Sequence, residues 1–244
     1  MSDRSLIRLT GPDTHDFLQG LVTNDVDGLK NGLVYAALLT PQGKYLADFF
    51  LVPESGAVLI DVQADLGPSL MQRLAMYKLR ADVTIEPAAL YLHRGIGERP
   101  VDGFDDPRHT ALGWRAYRDT PQADDTIDWN ALRVAHMIPK TGVELHADTF
   151  ILEAGFEALN GVDFRKGCYV GQEVTARMKH KTTLRKGLAR VALSEAAETG
   201  SEINASGKAA GTLHSVDGNH AIAYLRFDRA IDTMTAGNAI VTRI

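Results

Sequence analysis

Beyond Leu184 the chain breaks into short apolar runs, at 187–193, 202–205, 210–215, 221–225 and 239–242. They are separated by Ser206-Gly207, Asp217-Gly218-Asn219 and Ala236-Gly237-Asn238, each a turn signal. Runs this short cannot build helices of useful length, and turns at this regular spacing favour antiparallel strands. The last 60 or so residues are therefore expected to close into a small all-β barrel or sandwich. The expected division is a region 1–185 followed by a β domain 186–244.

Upstream the texture is mixed. Leu6-Ile7-Arg8-Leu9 reads as a strand, and Thr10-Gly11-Pro12-Asp13 reads as a helix start with Thr10 as N-cap and Pro12 in the first turn. Phe17, Leu18 and Leu21 share one face of that helix. The runs 33–39 and 45–52 flank Pro41-Gln42-Gly43-Lys44 and predict a hairpin, with Asp48 interrupting the returning strand. Asp48 either faces solvent at an edge or is buried with a partner or ligand. Leu66, Leu70, Leu74 and Tyr77, following Asp65, mark an amphipathic helix. Further strands are expected at 57–60, 82–85, 90–93 and 113–117, and a helix capped by Asp125 or Thr126 and ending near Met137. Strands and helices in this order predict an α+β fold.

The chain of 244 residues carries a net charge of −5 and one cysteine. One cysteine excludes an internal disulfide. No run reaches membrane-spanning length or the form of a signal peptide, which predicts a protein without a membrane role. The segment 165–190 holds eight Lys or Arg and one acid, Glu173. A basic segment in an acidic chain reads as a local anion site, or as a solvated helix face, rather than a nucleic-acid surface. The common nucleotide loops, serine-hydrolase motifs and metal-ligand spacings are absent, so no metal site is expected.

The cysteine lies in the densest chemistry of the sequence: Lys166-Gly167-Cys168-Tyr169-Val170-Gly171-Gln172-Glu173. Two readings stand: a tight loop leading into a helix with Cys168 packed as a small apolar group, or a displayed thiol whose ionisation is favoured by Lys166.

This segment resembles the K-G-C-[YF]-x-G-Q-E signature of YgfZ-type folate-binding proteins, relatives of the T-protein (aminomethyltransferase) of the glycine cleavage system. The resemblance extends in order through Phe17-Leu18-Gln19-Gly20-Leu21-Val22-Thr23-Asn24-Asp25-Val26, Leu39-Thr40-Pro41-Gln42-Gly43-Lys44 with Asp48, Tyr77-Lys78-Leu79-Arg80-Ala81-Asp82-Val83 and Glu153-Ala154-Gly155. It implies two ferredoxin-like subdomains plus the C-terminal β-barrel, a cloverleaf around a central folate channel. It implies a tetrahydrofolate-binding accessory factor for assembly or repair of iron–sulfur proteins, chiefly [4Fe-4S], with an indirect effect on tRNA modification. The T-protein's acidic pair after the first hairpin turn is reduced here to Ala47-Asp48, which weighs against glycine cleavage.

What the resemblance implies for residues follows. Cys168 is the functional thiol, with Lys166 beside it. Asn24, Asp48, Tyr77, Arg80, Glu153, Tyr169, Gln172 and Glu173 are candidate contacts to tetrahydrofolate or a one-carbon derivative, held between the signature and the first hairpin. Glu153 or Asp48 suits the amino-pyrimidinone edge, and Arg80, Lys166, Arg177 or Arg185 the anionic glutamate tail. The partners implied are iron–sulfur client or assembly proteins, with the chain itself a monomer that binds no nucleic acid directly. The compartment is the cytoplasm in a bacterium or the mitochondrial matrix in a eukaryote. A folate-dependent aminomethyl or other one-carbon transferase, and a non-catalytic folate-regulated binding protein, are the alternatives.

Overall fold

The computed structural model describes residues 3–181, 183–231 and 233–244. The chain divides into two units, one formed by Met1–Thr126 with Glu157–Glu173, the other by Ile127–Phe156 with Val174–Ile244.

In the first unit β1 (Arg4–Thr10), α1 (Thr14–Gln19), β2 (Val34–Leu39), β3 (Tyr45–Glu54), β4 (Ala57–Gln63), α2 (Gly67–Lys78) and β5 (Thr84–Pro87) follow in order. The strands form an antiparallel sheet in the order β2-β3-β4-β1-β5. One face buries Ile7, Leu9, Ala36, Leu38, Phe49, Leu51 and Ile60 beneath Leu18 of α1 and Leu70 and Leu74 of α2. The period-four spacing that marked α2 is thus its core stripe. Every residue of β2 is buried, so the strand is covered on both faces, which explains its unbroken apolar run.

The start of α1 differs from expectation. β1 continues through Thr10, and the helix begins at Thr14. Gly11 makes the turn at φ +117°, and a Cβ there would lie 2.2 Å from the Asp82 carbonyl oxygen. Asp13, instead of capping the helix, accepts a hydrogen bond from the Asp82 backbone N–H at 2.8 Å. The tertiary contact has overridden the local capping pattern.

A three-stranded sheet, β6 (Tyr91–Gly95), β7 (Phe104–Asp105) and β8 (Trp114–Arg118), completes this unit in the order β6-β8-β7. The segment Glu157–Glu173 belongs here although it is distant in sequence. Thr23 supplies much of the reason. Its hydroxyl donates to Gly161 O (2.7 Å) and accepts from the Ala37 N–H (2.8 Å), while its carbonyl accepts from the Asp163 N–H (3.1 Å).

In the second unit α3 (Trp129–His136) is capped by Asp128, whose side chain accepts from the Ala131 N–H, rather than by Asp125 or Thr126. α4 (Gln172–Lys181) contributes all but its first two residues to this unit. The strands β9 (Lys186–Leu193), β10 (Glu202–Ala205), β11 (Lys208–Asp217), β12 (His220–Arg226), β13 (Met234–Ala236) and β14 (Ala239–Arg243) close into a barrel in the order β10-β11-β12-β9-β14-β13. The closing pairs join β10 to β13. Its interior holds Val191, Leu193, Ile203, Leu213, Leu225 and Val241. The expected five strands are present. The sixth, β13, is three residues long, too short for its alternation to be read.

Candidate functional site

The signature loop alternates between anchored and displayed residues. Lys166 is buried, and its ammonium donates to Gln19 O at 2.7 Å and Val22 O at 2.6 Å. It also lies 5.1 Å from the centre of the Tyr169 ring. Cys168 is exposed. Tyr169 is buried, and Val170 packs on the sheet core. Gly171 has φ +85°, and a Cβ there would stand 2.6 Å from Thr40 O in the β2–β3 turn. Only glycine combines that backbone conformation with so close an approach.

Two expectations change here. Cys168 is not a packed apolar group, because its side chain faces solvent. Lys166 is not the cation set beside it: the ammonium is turned inward, onto the carbonyls at and just beyond the end of α1. Burial pulls the Lys166 ammonium down to about 8, against the opposing pull of Asp25 and Asp163. At Gly171 the signature and the hairpin are also in direct contact, which leaves no room for a ligand between them at that point.

Asp48 resolves to the buried alternative. It sits opposite Ala37 on the sheet face away from α1 and α2. Its Oδ1 accepts from Tyr45 OH at 2.7 Å and its Oδ2 from Tyr35 OH at 3.0 Å. Burial, reinforced by the Asp48 charge, raises the Tyr35 hydroxyl well above its usual range, so it remains a donor.

Beyond Tyr35 lies an ionic network that sequence reasoning missed. The fully buried Asp61 accepts from Arg4 Nε (2.6 Å), Arg115 Nη2 (2.5 Å) and Tyr117 OH (2.9 Å). Asp106 accepts from Arg108 Nε and Nη2 at 3.0 and 2.8 Å, and pairs with Arg115 at 3.5 Å. The guanidinium groups of Arg115 and Arg108 lie 4.1 and 4.8 Å from the centre of the Phe50 ring. Burial alone would raise the Asp61 carboxyl, but the charges and hydrogen bonds of Arg4 and Arg115 hold it at about 2. β8 is thereby fastened to β4 and β1 by charge.

The remaining first-unit candidates are dispersed. Asn24 donates to Tyr35 O (2.8 Å) and Asn160 O (2.7 Å) and accepts from the Asp25 N–H (2.8 Å). Both amide protons are taken by backbone, so Asn24 is corrected from ligand contact to structural bracket. It also lines an open cleft of about 360 Å³ with Asp25, Asp27 and Asp163 against one cation, Lys30. That charge is the wrong sign for a glutamate tail. Tyr77 packs on the α1/α2 side of the sheet, opposite the face of Asp48, and Arg80 is exposed just beyond α2. Gln172 is half-buried and Glu173 exposed in the first turn of α4, where a carboxylate suits the helix dipole. The hairpin thus gathers Asp48, Tyr35 and Tyr45 but not Tyr77, Arg80 or Asn24.

Glu153 lies in the second unit. Its backbone carbonyl accepts from the Leu188 N–H at 2.7 Å, fixing it to β9. Gly187 permits this approach, since a Cβ there would lie 2.8 Å from Glu153 O. Oε2 accepts from Tyr224 OH at 2.6 Å, with Lys186 Nζ 3.9 Å away. Oε1 has no partner among the described residues. Burial first, then the Glu153 carboxylate, raises the Tyr224 hydroxyl. The residue opens into a cavity of about 270 Å³ lined by Met178, Leu184, Arg185, Lys186 and Arg226. One carboxylate acceptor, two apolar walls and three cations suit a flat ligand with N–H donors and an anionic tail. Of the expected tail-binding residues, Arg185 is at this pocket, whereas Lys166 is buried in the first unit and Arg177 is exposed on α4. Lys186 and Arg226 were not singled out. Lys186 stood within the basic segment, the one signal that could have found it. Among the described residues no three His, Cys, Asp or Glu side chains converge on a metal site.

Residues 185–243 match the family described as "CAF17, C-terminal beta-barrel domain". The mouse mitochondrial iron–sulfur cluster assembly factor IBA57 is 32% identical over 93% of this chain and 76% of its own length. The chain belongs to the IBA57 family. The human IBA57 is 28% identical over 92% of this chain and 76% of its own length. The homologue from Neurospora crassa is 31% identical over 76% of this chain. This chain spans 51% of the length of that fungal relative. Among solved structures, the aminomethyltransferase T of the glycine cleavage system from Bartonella henselae superposes with a TM-score of 0.80. That match covers 100% of this chain and 83% of the other at 14% identity. The fold is that of the aminomethyltransferases, mixed α and β with a closed six-stranded barrel. The YgfZ resemblance thus holds at the level of fold and iron–sulfur family, with IBA57 as the name its relatives carry.

Proposed function

We propose that this protein binds tetrahydrofolate or a one-carbon derivative and acts as an accessory factor in the assembly or repair of iron–sulfur proteins, with Cys168 as its working thiol. The relatives' names supply the iron–sulfur half of this reading. The observation that carries the folate half is the Glu153 pocket. Its unpartnered Oε1 suits the amino-pyrimidinone N–H donors, and Arg185, Lys186 and Arg226 suit the glutamate carboxylates. Cys168, exposed and clear of the ligand-like pocket's lining, serves client or assembly proteins. An accessory role is favoured over one-carbon transfer because both oxygens of Asp48 already accept tyrosine hydroxyls, and this is also the YgfZ-type reading. Its effect on tRNA modification would be indirect, through iron–sulfur enzymes. The compartment follows the cell: matrix in a eukaryote, as the relatives' mitochondrial names suggest, and cytoplasm in a bacterium.

Calorimetric titration with tetrahydrofolate tests the folate half. Glu153→Gln turns an acceptor into a donor in front of the ligand's N–H edge and should weaken binding at least tenfold, an effect of about 1.4 kcal/mol or more. Saturable binding unchanged by Glu153→Gln would move the site elsewhere, and absence of saturable binding to the wild type would end the folate reading. For the thiol, Cys168→Ser should abolish support of [4Fe-4S] enzyme activity in cells while leaving folate binding intact.

A further inference from the structure

The Lys166 ammonium is buried, with backbone carbonyls as its hydrogen-bond partners and no carboxylate within ion-pair distance among the described residues. The charged and titratable groups around it are Asp25 and Asp163, which act only at a distance, and the ring of Tyr169. Its neighbours in the chain are loosely held. Arg165, Gly167 and Cys168 are all exposed, and a Cβ on Gly167 would meet nothing within 4 Å. The segment is therefore an arm attached by two buried side chains, Lys166 and Tyr169, with a glycine between them able to take up a change of direction.

A cation buried without a counter-ion is costly, while a neutral amine keeps two N–H donors, enough for both Gln19 O and Val22 O. Opening the arm returns Lys166 to water. We propose that the Cys168 arm is gated by a proton: it swings away from the end of α1 when Lys166 carries its charge and closes when Lys166 loses it. This rests on the reading of Cys168 as the working thiol, because it is that thiol the arm carries. The sign follows from linkage. Lys166 titrates near 8 when closed and near 10.5, as an ordinary lysine, when open. The open state therefore holds more protons between those values, and rising pH favours closure. Below about pH 8 the opening equilibrium is level.

Trypsin reads this directly, because cleavage after Lys166 requires that side chain to leave its socket and enter the protease. The rate of cleavage at the Lys166–Gly167 bond is measured by mass spectrometry from about pH 7 to about pH 9.5, the range that brackets the closed-state titration. It is divided at each pH by the rate for a free peptide of residues 162–172, which removes the protease's own pH dependence. The expected result is a fall of roughly 25-fold across that range, tenfold per unit once past the midpoint. Lys166→Arg, which does not titrate there, should give a flat ratio whatever its absolute rate. A wild-type ratio that stays flat or rises, or no cleavage after Lys166 at any pH, would overturn the proposal. The measurement uses neither folate nor a client protein, so its failure would leave the reading of Cys168 standing, and loss of that reading would leave the gate standing.

Discussion

Replacing Asp61 by asparagine should be among the most damaging isosteric changes in the first unit. The carboxylate is fully buried and receives Arg4, Arg115 and the Tyr117 hydroxyl. The substitution removes the charge that Arg4 and Arg115 share and places an amide N–H₂ against donors. Removing one partner of a buried ion pair typically costs about 3–5 kcal/mol, which for a chain of this size lowers the melting temperature by about 10 °C. The pH dependence makes the test specific. The Asp61 carboxyl is held at about 2 against an ordinary 3.8. A depressed acid stabilises the fold above the ordinary value, and that contribution disappears as pH falls through about 2. Its size is about 2 kcal/mol. Urea unfolding followed by circular dichroism, in steps of about one pH unit from neutrality to about pH 2, should therefore show the gap between wild type and Asp61→Asn narrowing by about 2 kcal/mol over the two most acidic steps. A variant within about 1 kcal/mol of wild type at neutral pH, or a gap that does not narrow in acid, would refute the assignment of this network as the fastening of β8 to β4.

Three further changes test separate joints. Gly171→Ala places a Cβ 2.6 Å from Thr40 O on a backbone at φ +85°. It should cost at least about 2 kcal/mol in urea unfolding and, by loosening the loop, raise the mobility of a nitroxide attached to Cys168. Thr23→Val leaves Gly161 O and the Ala37 N–H without their shared hydroxyl, with an expected loss of about 2–3 kcal/mol and faster amide exchange across 157–163. In the second unit Glu144 accepts from the Lys140 and Ser215 N–H groups and from Arg133. Glu144→Gln should cost about 1–3 kcal/mol in thermal unfolding while leaving tetrahydrofolate binding unchanged.

The parts of this fold legible in advance are those governed by local periodicity. Leu70 and Leu74 announce α2, and the alternating runs after Leu184 announce five of six barrel strands, because burial on one face repeats at about 3.6 or 2 residues. The ionic network is invisible by the same logic. Arg4, Asp61, Asp106, Arg108 and Arg115 lie on three strands and a loop, and nothing in their spacing reveals that a register will bring them together. Asp48 shows the intermediate case. Its place within an apolar strand marked it as needing a partner if buried. Which partners, Tyr35 and Tyr45, depended on a hairpin register shifted by a bulge between Leu38 and Leu39. At the Glu153 pocket the carboxylate and Arg185 were legible, whereas Arg226 arrives from β12, whose pairing with β9 sets it opposite Lys186.

The signature itself separates into a frame and a single displayed group once each side chain has a place. Gly171 exists for the contact with the β2–β3 turn, and Tyr169 and Val170 are packed. Gln172 and Glu173 open α4. Lys166, the residue whose charge suggests an activated thiol, is buried where Cys168 is exposed, and it serves the loop's attachment. A motif whose other members hold backbone in place is best understood as a mount. A thiol held outward on such a mount is positioned for a group that comes to it on another molecule. That predicts a split between variants: Gly171→Ala and Lys166→Arg should lower client support in cells in proportion to how far they alter the display of Cys168. Cys168→Ser should abolish that support with the mount unaltered, as judged by cleavage after Lys166 at the wild-type rate.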